Sequence, residues 1–257
     1  MAAAMVLMAG PTNAMAQPSG EPLKNDSAGT GSGKETGILT SRLSGRQLRI
    51  WRSIERIVFA RDKSGRLLHP TLHGLWQEAE GSGCAIYIEM PDPKGGSPYF
   101  AGGFFLEKPG SANEPPAGVI RLYLPAIGNA STSGRTRRDN GFMPFEGLRR
   151  MDQRYAEVLG HELVHALLTL TDPRHASVCR EVEREVAALT LQLKERKEKT
   201  LDDETRARMQ RIQEMSEELE RRPEAVEVDI WRELLGNQKW PEKRRTPFWT
   251  QILTESR

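Results

Sequence analysis

The stretch YAEVLGHELVHALLTL, Tyr155 to Leu170, decides how this chain is read. Its apolar residues recur at helical spacing, and Thr171-Asp172-Pro173 closes it, so the pattern predicts a helix from about Met151 to Leu170. Inside that oily helix sit His161, Glu162 and His165. Unpaired polar groups are costly in an apolar setting, so the three need partners. Histidines four apart lie on one helical face a turn from each other, and both imidazoles reach one metal ion. Glu162 is one step round from His161. It reaches a water held by such an ion without being a ligand. Zinc lowers the pKa of a bound water to about 7 and polarises a carbonyl, and a carboxylate beside it carries the proton.

A catalytic zinc takes three protein ligands, so one more is needed. A histidine six residues after His165 is absent, since position 171 is threonine. The next predicted helix, Ala176 to Lys199, offers Glu181, Glu183 and Glu185. At about 100° per residue, Val178, Val182, Val186, Leu189 and Leu193 form one stripe. Glu185 lies at the edge of that stripe and Glu183 on the far side. Glu185 is therefore the expected third ligand. Glu181, one turn away on the same side, and His175, just past Pro173, are the alternatives. Tyr155, His175 and Arg180 are the nearby candidates for stabilising an oxyanion.

Upstream, Ser44 is placed to cap a helix through QLRIWRSIERIVFA, and a second short helix follows Pro70. Its histidines, His69 and His73, are four apart but have no acid or third donor nearby, and a structural role is expected. The period then switches to two. CAIYIEM (84–90), PYFAGGFFLE (98–107) and GVIRLYLP (118–125) read as strands, with a bulge expected at Gly102-Gly103. Residues 126–146 read as a loop. Thr200-Leu201-Asp202-Asp203 signals the cap of a third helix ending before Pro223, so residues 176–222 form a charged helical hairpin.

The fold class expected is α+β: a small antiparallel or mixed sheet, then the HExxH helix, then a mainly helical C-terminal half. Residues 1–16 read as a signal peptide, with an apolar run before Ala14-Met15-Ala16, and residues 17–42 as a Gly/Ser/Pro-rich linker. Residues 43–257 form one domain. The protein is then exported, periplasmic or extracellular, and cytoplasmic if 1–16 is not a signal. Cys84 and Cys179 are either one disulfide or two separate thiols. A net charge of +2 and the short run Arg135-Thr136-Arg137-Arg138 give no drive toward nucleic acid, and no later apolar run is long enough to span a membrane.

His161-Glu162-x-x-His165 followed about twenty residues later by Glu185-Val186-Ala187-Ala188 resembles the zincin metallopeptidases. More narrowly, it resembles their gluzincin, or thermolysin-type, branch, in which a downstream helix supplies a glutamate ligand. The resemblance covers about Ala156 to Leu193. It implies a peptidase with one Zn2+ held by His161, His165 and Glu185, hydrolysing peptide bonds by zinc-activated water with Glu162 as general base. It also implies that extended peptide substrate lies along a strand, here 118–124. The alternative is a catalytically inactive zincin-like protein that binds or senses a partner and holds zinc structurally.

Overall fold

A computed structural model describes residues 35–91, 102–107, 114–124, 127, 148, 150–195 and 202–236. The expected signal peptide, the loop 126–146 apart from Ile127, and the run 135–138 lie outside these. So do residues 98–101 of the second expected strand.

Within the described residues the chain forms strands β1 (Gly37–Leu39), β2 (Ala85–Glu89), β3 (Gly102–Leu106) and β4 (Ala117–Leu122). Its helices are α1 (Gly45–Val58), α2 (Pro70–Gly81), α3 (Met151–Thr171), α4 (Pro173–Glu195) and α5 (Asp203–Leu235). The four strands make one mixed sheet in the order β1-β2-β4-β3. β1, β2 and β4 are parallel, and β3 runs antiparallel to β4. The α+β class is as expected.

The expected starts of α1 and α5 are met, whereas α4 begins at Pro173, three residues before the expected Ala176. At α1 the Ser44 amide donates to Gln47 Oε1 at 3.0 Å and the Gln47 amide to the Ser44 carbonyl at 2.9 Å, and Asp202 accepts from the Thr205 amide at 2.7 Å at the start of α5. Four expectations are corrected. β1 lies inside the segment read as linker; three residues in a glycine-rich arm carry too little pattern to announce a strand, yet they pair with β2. The Gly102-Gly103 bulge is absent, because β3 and β4 stay in unbroken register from Gly102↔Leu122 to Leu106↔Gly118. α5 does not stop before Pro223. It runs through that buried proline and on to Leu235, because Val226, Ile230, Trp231, Leu234 and Leu235 pack on the main core. Finally, β4 is an interior strand, flanked by β2 and β3. Its backbone groups are already paired on both sides, so it cannot accept a peptide as an added strand.

α3 is the central element. Buried residues occur all round it, and it touches β3, β4 and every other helix. The α1 residues Trp51, Ile54 and Val58 and the α2 residues Leu72 and Trp76 complete the main core with it. A second apolar cluster belongs to the α4–α5 hairpin alone: Val182, Val186 and Leu189 against Ile212 and Leu219. Cys84 and Cys179 are separate free thiols.

Candidate metal centre

The histidines come from α3, and their position depends on how closely α5 approaches. Gly160, just before His161, is why it can: a methyl group there would collide with Ile230 of α5 and crowd Leu72 of α2. With no side chain at Gly160, α5 settles against α3. Gln153 Nε2 donates to the Leu234 carbonyl at 3.0 Å, and the Glu233 carboxylate accepts the Thr71 amide at 2.9 Å. Both bonds fix the C-terminal third of α5 to the body.

That docking brings two carboxylates to the histidines. His161 Nε2 and His165 Nε2 are 3.1 Å apart. Glu220 Oε2 is 3.3 Å from each. Among the described residues these three form the one group whose donor atoms all lie within 4.8 Å of one another. A tetrahedral zinc site with bonds of about 2.0–2.2 Å has ligand atoms about 3.3–3.6 Å apart. The triangle therefore has the size such an ion requires.

Behind it, His161 Nδ1 lies 3.0 Å from Glu227 Oε2. A proton on Nδ1 donated to Glu227 leaves the Nε2 lone pair facing His165 and Glu220, the orienting arrangement found behind metal-bound histidines. Burial lowers the His161 pKa, but hydrogen bonds to Glu220 and Glu227 outweigh it and raise the value well above 6.5. Burial likewise opposes ionisation of Glu220. The two histidines overcome it and hold that carboxyl far below the usual range. Positive charge is thus strongly favoured at this point.

Glu162 is 7% exposed. Burial pushes its carboxyl up, while His161 and His165 pull it down. Gly102 of β3 stands directly against it. A Cβ there would lie 2.6 Å from Val158 Cγ1 and 2.9 Å from Glu162 Oε1. The glycine read as a bulge signal instead permits the edge strand to lie on Glu162.

The structure does not bring Glu185 to this cluster. Its carboxylate accepts from Arg208 Nε at 2.8 Å across the α4–α5 hairpin. Its place at the edge of the apolar stripe has that partner as its cause. Glu181 is exposed and lies 4.0 Å from Arg184. His175 is outside the triangle. Its Nε2 is buried without a hydrogen-bond partner among the described residues, and burial lowers its pKa, helped by nearby charge on His165. Tyr155 belongs to the main core, and Arg180 is exposed. His69 precedes α2, and His73 packs edge-on to Phe59.

Sequence reading missed Glu220 and Glu227. Their signal was a pair of glutamates two helical turns apart on one face, 55 and 62 residues after His165. Comparison with protein-family models, curated proteins and solved structures finds no match to this chain. The functional reading therefore rests on the site itself.

Proposed function

We propose that this chain is a zinc-dependent metallopeptidase whose ion is held by His161, His165 and Glu220. The observation that carries the reading is the triangle of His161 Nε2, His165 Nε2 and Glu220 Oε2, with sides of 3.1, 3.3 and 3.3 Å. Two neutral imidazoles and one carboxylate match a catalytic zinc donor set that leaves a fourth position open. When bound, the ion supplies Lewis acidity toward a carbonyl and lowers the pKa of water.

The chain's own groups do the rest. Glu227 holds the Nδ1 proton of His161 and so keeps Nε2 facing the centre. Glu162 is not among the three donors and is free to work as a base. Its carboxylate takes a proton from the attacking water and passes it to the departing amine nitrogen. Glu162 is 7% exposed, with Val158 and Gly102 of β3 beside it. β3, the sheet edge on the Glu162 side, replaces β4 as the strand for an extended peptide: the backbone groups of Gly102–Leu106 give affinity by strand addition. Export, read from residues 1–16, belongs to the same proposal.

Cleavage of a denatured protein or a peptide library tests the mechanism. Glu162→Gln keeps stoichiometric zinc and loses hydrolysis by about a hundred- to ten-thousandfold. Undiminished cleavage by Glu162→Gln rules out its role as the base. Full zinc in the wild type with no cleavage favours a protein that holds the metal structurally.

A further inference from the structure

The three donor atoms do not all come from the same packed unit. His161 and His165 project from α3, whose apolar side chains lie in the main core. Glu220 follows Leu219, which belongs to the separate α4–α5 cluster. Glu227 follows Val226, which packs on the main core. Between the two glutamates, at Pro223, α5 passes from one cluster to the other. The other leg of the hairpin leaves the body at Pro173, the first residue of α4. These are the two prolines between residues 150 and 236, and each stands where a leg of the hairpin meets the body. A proline has no amide hydrogen, so the Leu219 carbonyl gets no helical bond from residue 223. Among the described residues, polar side-chain contacts between the hairpin root and α3 include the 3.9 Å approach of Thr169 Oγ1 to Cys179 Sγ and those of Glu220 with its two histidines.

We propose that the hairpin of residues 174–195 and 202–222 is an arm that pivots at Pro173 and Pro223, and that the metal locks this arm onto the body through Glu220. This rests on the metal reading above. Glu227, on the body side of the pivot, stays with His161 whether the arm is docked or not. Glu220 moves with the arm. Without the ion, Glu220 Oε2 lies 3.3 Å from each histidine ring, within hydrogen-bond reach. With it, the arm is tied by a metal–oxygen bond. Linkage makes the effect reciprocal: whatever holds the arm down raises metal affinity, and whatever lifts it releases the ion. The hairpin would then be the place where a partner governs the centre without touching it.

Hydrogen exchange on the intact chain, with zinc and after its removal by a chelator, tests this. The expected result is exchange about tenfold slower in the α4 and α5 amides between 178 and 219 when zinc is bound. The change is smaller in α1 and β2. Glu220→Gln, which keeps the shape but loses the charge, abolishes the difference at a zinc concentration that fills the site. Pro223→Ala restores a helical amide and slows exchange of the metal-free arm toward the bound value. Stoichiometric zinc with unchanged exchange in the arm overturns the pivot and leaves the metal centre standing. Absence of zinc from the wild type overturns both.

Discussion

Glu227 shows how much a single residue outside the donor triangle contributes. Its Oε2 lies 3.0 Å from His161 Nδ1, where a carboxylate accepts a ring proton and orients the imidazole. Removing such a partner costs about 10- to 100-fold in metal affinity. Glu227→Ala is therefore expected to weaken zinc binding by that factor in a competition titration, while the helical circular-dichroism signal stays unchanged. Affinity equal to wild type would mean that His161 is oriented by something else. Glu185 is the contrasting case. Its pair with Arg208 is part-exposed, so Glu185→Ala costs no more than about 1 kcal/mol and leaves the site intact.

At the scale of elements, the contact of α5 with α3 builds the centre, and Gly160 controls it. Gly160→Ala places a methyl group against Ile230. Overpacking of this kind costs about 1–3 kcal/mol. Because the same contact seats Glu227 at His161 and places the Pro223 end of the arm that carries Glu220, the variant should lose zinc affinity as well as thermal stability. Loss of stability with full affinity would separate docking from the site. On the sheet, Glu89 joins β2 to β4 and to the chain before α1, accepting from Arg121 and Arg42 at 2.9 Å each. Burial raises its pKa, but the two guanidiniums outweigh that and leave it below 4.5. A depressed carboxyl stabilises the fold above its unfolded value and loses that contribution as pH falls through its folded value. The contribution is thus complete above about pH 4.5 and disappears in stronger acid. Glu89→Gln should flatten the fall in melting temperature below about pH 4.5. An unchanged acid slope would show that the pair adds nothing to stability.

Across the whole molecule, the parts with a clear period were legible. The 3.6-residue repeat gave α1, α3 and α4 their places, alternation gave β2, β3 and β4, and the polar interruption of α3 gave His161, Glu162 and His165. What escaped reading depends on contacts between distant segments. Strand order cannot be read from one strand's alternation, so nothing in 118–124 announces that β2 and β3 flank β4 and leave no room for a peptide beside it. A helical wheel shows that Glu185 borders the core stripe but not that Arg208 meets it across the hairpin. Pro223 looks like a stop because it lacks an amide hydrogen. Packing on both sides carries the helix through it, and only that continuation brings Glu227 to His161 while Glu220 meets both rings.

The central claim is that Glu220, not Glu185, completes the metal centre. Zinc content, measured by elemental analysis after purification without chelator, tests it most directly. The wild type and Glu185→Ala should each hold one zinc per chain, while Glu220→Ala and His165→Ala hold little or none. Full zinc in Glu220→Ala, or its loss in a folded Glu185→Ala, would contradict the account.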